Sequence, residues 1–149
     1  IDLIGGNMTK DVLVSIKGTH MRDEDNENIE LVVPAKYSAE AGVEKITYDE
    51  LIEGSKHSIK NTISVDTEGL SILKEGFTNS NMNFYKNGKK HITYYNPPYG
   101  EFVMGILTKN IDIQRSEDRL KVSVDYLLDL GEDFVSDCNI VVDVRSKQA

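Results

Sequence analysis

Apolar residues fall on alternate positions along the last third of the chain. Leu120, Val122, Val124, Tyr126 and Leu128 alternate with Lys121, Ser123, Asp125, Leu127 and Asp129. A period of two with one apolar face is the pattern of a half-buried β-strand. Leu130-Gly131-Glu132-Asp133 reads as a turn, after which Phe134, Cys138, Ile140, Val142 and Val144 resume the alternation, with Ser136 interrupting it. Two such strands joined by a short turn predict an antiparallel hairpin.

The same pattern recurs upstream. Val12, Val14 and Ile16 share one face; Ile29, Leu31 and Val33 share another, in a strand that continues past Pro34 to Tyr37. A proline gives the sheet no N–H donor, so Pro34 predicts an edge or a bulge. Ile59, Ile63 and Val65 oppose Lys60, Thr62 and Ser64. Asn87-Gly88 is a strong hairpin signal between Met82-Asn83-Phe84 and Ile92-Thr93-Tyr94. Phe102 to Leu107 carries no polar side chain and predicts a central strand apolar on both faces, with Gly105 marking a bend or a close approach. Tyr48 to Ser58 is the one stretch where a short helical turn is expected, capped by Asp49 and limited by Gly54.

This pattern predicts eight to ten strands in sequential order. The fold class is all-β, a single antiparallel meander barrel, because closure removes unpaired edges; a two-sheet sandwich is the competing solution. The barrel is expected over residues 10–146, with tails at 1–9 and 147–149. The chain has 149 residues, a one-domain length, and 39% of them are hydrophobic, enough for a core. A single cysteine, Cys138, permits no internal disulfide and sits on an apolar strand face as a buried thiol. No apolar run approaches membrane-spanning length. A formal charge of -8 argues against nucleic acid.

Sequence motifs for chemistry are few. His20, Asp23 and Asp25 begin a cation-loop pattern that fails at Asn28 and Pro34. His57 and His91 lack zinc-ligand spacing, and the glycines form no phosphate loop. No nucleophile elbow singles out a serine, so no catalytic residue, metal or cofactor is assigned. The least scaffold-like feature is Tyr94-Tyr95-Asn96-Pro97-Pro98-Tyr99-Gly100, where tyrosines bracket two prolines. It predicts a rigid connection between strands, anchored by its rings.

These residues carry a resemblance. Asn79 to Phe84, Asn87 to His91 and Tyr95-Asn96-Pro97-Pro98-Tyr99-Gly100, with the opening Asp11 to Thr19 and the closing strands, resemble the YwiB-like family of uncharacterised bacterial proteins. The resemblance spans about residues 10 to 145 and implies a lipocalin-like or calycin-like barrel in a bacterial cytoplasm. It departs at Gly54 to Ser58, where the family is threonine-rich, and at Leu73-Lys74-Glu75-Gly76, where the family tends to carry arginine. It implies no activity.

Three functional readings follow. The first is a barrel that binds a small apolar or amphipathic ligand inside or at its mouth, lined from among Tyr94, Tyr95, Tyr99, Phe102, Met104 and Tyr126. A cavity of roughly 300 Å³ or more holding a tyrosine hydroxyl or a carboxylate favours it, and a solid interior counts against it. The second is a filled barrel that acts through an outer surface or a homodimer interface. The third, an enzyme, needs an acid/base pair that the sequence does not name.

Overall fold

The computed structural model describes residues 8–22, 25–86, 88–130 and 135–147, with side chains for all of these but 20–22, 25–27 and 135. The tail up to residue 7, Asn87, the Gly131-Glu132-Asp133 turn and the His20, Asp23 and Asp25 side chains therefore lie outside what is described. Ten strands follow one another: β1 (Asp11–Arg22), β2 (Asp25–Glu40), β3 (Val43–Leu51), β4 (Ser58–Val65), β5 (Gly69–Gly76), β6 (Asn79–Tyr85), β7 (His91–Asn96), β8 (Phe102–Ser116), β9 (Arg119–Asp129) and β10 (Val135–Ser146). Each pairs antiparallel with its neighbours in sequence, and β1 pairs with β10, so the sheet closes into a barrel. The connections of such a meander fall alternately at its two ends.

The alternation in the sequence becomes the inside and outside of the barrel. Val12, Val14, Ile46, Ile63, Val65, Phe84, Val122, Val124 and Val144 have no accessible surface, so no water-sized void touches them. They belong to one apolar cluster with Tyr126, Met104, Leu128 and Cys138, in which Phe84 meets Tyr126 edge-on at 4.8 Å. Burial pushes the Tyr126 phenol and the Cys138 thiol above their ordinary values. The outward positions of β3, β4 and β9 are instead mostly polar, with Lys45, Thr47 and Asp49, Lys60, Thr62 and Ser64, and Lys121, Ser123 and Asp125 among them and Val43, Leu51 and Leu127 the apolar exceptions. An apolar inside with a polar outside is the reverse of a transmembrane barrel. Among the described residues no helix is long and apolar enough to cross a membrane.

Several local expectations resolve into physical causes. β2 runs straight through Pro34. The Tyr37 N–H donates to Lys10 O at 2.8 Å, so odd-numbered N–H groups of β2 face β1 and even-numbered ones face β3. The β2–β3 register begins only at Lys36↔Thr47, leaving the missing donor of Pro34 on an open edge. Gly105 is a close approach: a Cβ there would lie 2.5 Å from Lys90 Cε, because the lysine crosses it to reach Asp129 at 2.7 Å.

Two expectations are corrected. Tyr48 to Ser58 holds no helical turn: β3 continues to Leu51, and a tight turn follows in which the Ser55 N–H donates to Ile52 O and Gly54 adopts φ 76°. The stretch Phe102 to Leu107 is not covered along both faces: Met104 and Ile106 are buried inside, whereas Val103 points outward and is exposed.

The barrel is closed at one end and parted at the other. After the β-bulge at Thr108/Asn110, the inner face of β8 passes to Ile111, Ile113 and Arg115, which fold over the end bearing the β2–β3 and β8–β9 turns. There Arg115 binds Glu44, a carboxylate only 1% exposed. At the other end β2 has left β3, while β6 and β7 still meet there through Asn79↔Asn96 and Ser80↔Tyr95 and separate toward their own turn at the capped end. Asn83 Nδ2 and His91 Nε2 lie 2.9 Å apart where β6 and β7 separate.

Candidate functional site at the barrel mouth

Residues directly opposite across antiparallel strands share a face, so register locates the site. Tyr48 lies opposite Asn61, Asn61 opposite Lys74, and Lys74 opposite Ser80. Ser80 then lies opposite Tyr95, and Tyr95 opposite Phe102. All occupy the inward parity of their strands and form a belt around half of the open mouth. Glu50 stands one inward position beyond Tyr48, nearer the rim.

The belt has a polar half and an aromatic half. Lys74 Nζ donates to Asn61 Oδ1 at 2.7 Å and to Glu50 Oε1 at 3.1 Å, while Asn61 Nδ2 donates to Glu50 Oε1 at 3.3 Å. Asn61 is fully buried, whereas the Lys74 and Glu50 side chains keep 32% and 38% of their surface in water. Each charged group therefore retains hydrogen-bonding capacity on its solvent side. Burial and then the Glu50 charge push the adjacent Tyr48 phenol up to about 12. In the aromatic half, Tyr95 stacks on Phe102 with centroids 6.1 Å apart, and Tyr99 meets Phe102 edge-on at 6.2 Å. Burial raises the Tyr95 phenol, and the neighbouring Tyr99 adds to the shift.

The facing lip is apolar. Ile16, Leu31 and Ile140 occupy inner positions of β1, β2 and β10 and are half-buried, and Ile29 is 61% exposed. A groove of about 320 Å³ lies where β2 parts from β3, and Tyr48 of the belt also lines it, with Ala35. Its walls include Asp11, Pro34, Lys36, Thr47, Asp49 and Lys60, with Lys36 already paired to Asp11. It is a solvated cleft of mixed charge, and the chemistry is concentrated at the mouth instead.

The residues singled out in the sequence separate into three groups. Tyr95, Phe102 and Tyr99 come together at the mouth. Met104 and Tyr126 lie in the packed core, and Tyr94 stands on the outer face. The Pro-Pro connection is ordered by a turn in which the Gly100 N–H donates to Pro97 O at 3.2 Å. Its anchor is not Tyr99, which is 79% exposed, but Pro97, which is buried. Tyr48, Glu50, Asn61, Lys74 and Ser80 were not foreseen. Their signal is a polar residue at an inward position: Asn61 interrupts Ile59, Ile63 and Val65, and Lys74 follows Leu70 and Ile72.

Residues 14–142 match the family described as a domain of unknown function, DUF1934. The chain belongs to the DUF1934 family. Its fold is also that of the crystal structure of the ywiB protein from Bacillus subtilis, with a TM-score of 0.80, 19% identity, and coverage of 95% of this chain and 96% of that one. No curated protein matches the sequence.

Proposed function

We propose that the protein binds a small amphipathic ligand at the open mouth of the barrel. The middle of the barrel is occupied by its own side chains, so the rim is where a ligand can be accommodated. The observation that carries the reading is the Glu50–Asn61–Lys74 group on the inner wall, facing an apolar lip in which Ile29 is largely exposed. A polar head with both donor and acceptor atoms suits the lysine and glutamate. An apolar body suits Ile16, Ile29, Leu31 and Ile140, or the ring shelf of Phe102 and Tyr99.

The test is titration with 1-anilinonaphthalene-8-sulfonate, an apolar ring system with an anionic head, under native conditions. Saturable fluorescence enhancement is expected, with Lys74→Met and Ile29→Lys each weakening binding about tenfold, equivalent to ~1.4 kcal/mol. Tyr94→Ser on the outer face is expected to leave it unchanged. Loss of binding in Tyr94→Ser alone, with both mouth variants unaffected, refutes the reading.

A further inference from the structure

The polar group on the inner wall has unused capacity on its solvent side. Lys74 Nζ commits two N–H groups, one to Asn61 Oδ1 at 2.7 Å and one to Glu50 Oε1 at 3.1 Å. Asn61 Nδ2 donates to that same Oε1. An ammonium has three donors and a carboxylate two oxygens. One N–H of Lys74 and Glu50 Oε2 therefore remain, with no partner among the described residues. Donor and acceptor stand side by side. Among the described inward side chains at this end, Glu50 and Lys74 are the charged ones, and their charges cancel. The next strands supply a flat apolar surface. Lys74 lies opposite Ser80, and Ser80 opposite Tyr95. Two strand spacings place Lys74 and Tyr95 about 10 Å apart along the belt. Tyr95 stacks on Phe102 of β8, while its neighbour on β6 is Ser80, so along the belt only a hydroxymethyl group separates the ring from the lysine.

We infer that the ligand of the mouth is a neutral, planar aromatic lactam, a flat ring carrying a C=O beside an N–H. This rests on the reading of the mouth as a binding site and specifies what the site selects. The ligand carbonyl accepts from Lys74, its N–H donates to Glu50 Oε2, and the ring lies over Ser80 against Tyr95. Charge decides between ligand classes. An anion gains Lys74 but stands against the Glu50 carboxylate, and a cation meets the reverse. A lactam satisfies both groups and brings no charge to desolvate. A ligand with only a donor or only an acceptor displaces water from both groups and pairs with one. Shape decides the rest. Aromatic rings attract one another in offset and edge-on pairs, and Tyr95, Phe102 and Tyr99 already form such an array that a further flat ring extends. Oxo-purine and pterin rings share this edge.

Calorimetric titration of the full chain with four probes tests the inference. Quinolin-2(1H)-one carries the whole edge on a bicyclic ring. Its 1-methyl derivative lacks the N–H, quinoline lacks the carbonyl, and 2-piperidone lacks the aromatic ring. Quinolin-2(1H)-one is expected to bind with a dissociation constant below about 0.1 mM, and the other three at least about tenfold more weakly. Glu50→Ala should weaken quinolin-2(1H)-one about tenfold and leave the 1-methyl derivative unchanged, because that probe has no N–H to lose. The comparison of probes on the unaltered chain stands even where this variant folds poorly. Guanosine and pterin carry the edge on different rings, and the tighter binder identifies the ring class. Binding of neither overturns the inference. So does equal affinity for quinolin-2(1H)-one and its 1-methyl derivative, equal weakening of both by Glu50→Ala, or no binding of quinolin-2(1H)-one. If 1-anilinonaphthalene-8-sulfonate still binds in a Lys74-dependent way, the mouth remains a ligand site and only the lactam is refuted. Loss of that binding as well refutes both.

Discussion

Arg115 of β8 reaches across the barrel end to Glu44 of β3 and places Nε and Nη2 on one carboxylate oxygen, Oε1, at 3.0 and 2.7 Å. Tyr37 donates its hydroxyl to the other oxygen at 2.8 Å. The carboxylate is buried while the guanidinium remains partly in water, so the arginine closes the end as well as neutralising it. Removing one partner of a buried pair strands the other charge. Arg115→Met is therefore expected to destabilise the fold by about 2–3 kcal/mol, toward the low side because Arg115 is partly solvated. The triple variant Tyr37→Phe, Glu44→Leu, Arg115→Met removes every group of the network and should return to within about 1 kcal/mol of the parent. Urea unfolding of the parent and both variants measures this. Equal losses in the two variants would show that packing rather than charge controls the end.

No local pattern reveals that contact, since 71 positions separate its partners. What the sequence does reveal is parity. From Leu120 to Leu128 every inward position of β9 is apolar, and each is buried in the fold. Pro34 signalled an open edge for the reason the structure displays, a missing donor on the side where β2 has left β3. Parity fails where both faces are apolar. Tyr94 and Tyr95 are chemically the same, and only the Tyr95↔Phe102 register and the outward Tyr94↔Val103 pair distinguish the mouth from the surface. The polar half of the mouth was legible in principle, because Asn61 and Lys74 occupy positions that their strands otherwise give to Ile, Leu and Val. Bringing them together required the order of β3, β4 and β5, which single-strand patterns do not contain.

Gly69 is the least replaceable glycine in the barrel. Its φ is +152°, and a Cβ there would stand 1.9 Å from the backbone oxygen of Phe84, which cannot rotate away as a side chain could. Gly69→Ala is expected to cost about 3 kcal/mol or more, combining backbone strain with a forced shift between β5 and β6. Gly18 is the control. It has no neighbour within 4 Å of the added carbon, and Gly18→Ala should be neutral or stabilising by up to about 1 kcal/mol. Thermal unfolding of the two variants compares them directly. A tolerated Gly69→Ala would contradict the β5–β6 register.

Asp143 should contribute to acid sensitivity. Arg119 binds it bidentately, Nε to Oδ1 at 3.0 Å and Nη2 to Oδ2 at 2.7 Å, with Arg145 nearby at 3.7 Å. Those Arg119 hydrogen bonds, opposed in part by burial, hold its carboxyl below the ordinary value of 3.8. A depressed folded value means stability that is present above the unfolded value and lost as pH falls through the folded one. Asp143→Asn should therefore be less stable than the parent at neutral pH, and the gap should narrow as pH falls below about 4. Urea midpoints between neutral pH and about pH 2 follow the change across the carboxylate range. A gap that stays constant over that range would mean the pair contributes nothing through charge.

Tyr99 and Tyr95 lie on one connection but should respond differently to truncation. Tyr99 is largely in water and touches Phe102 only by its edge, so Tyr99→Ala is expected to change stability by no more than about 0.5 kcal/mol. Tyr95 stands inward, stacked on Phe102 and packed against the core cluster, and Tyr95→Ala should cost about 2 kcal/mol, less than a fully buried ring. The hydroxyl substitutions isolate the ligand reading. Tyr99→Phe leaves the ring shelf intact and should preserve both stability and binding of an apolar ring. Tyr99→Ala removes the exposed wall of that shelf, so it should weaken binding of 1-anilinonaphthalene-8-sulfonate while leaving the thermal midpoint in place. Equal stability losses for Tyr99→Ala and Tyr95→Ala would show that the ring of Tyr99 anchors the connection after all. Unchanged probe binding in Tyr99→Ala would confine the apolar part of the ligand to the lip formed by Ile16, Ile29, Leu31 and Ile140.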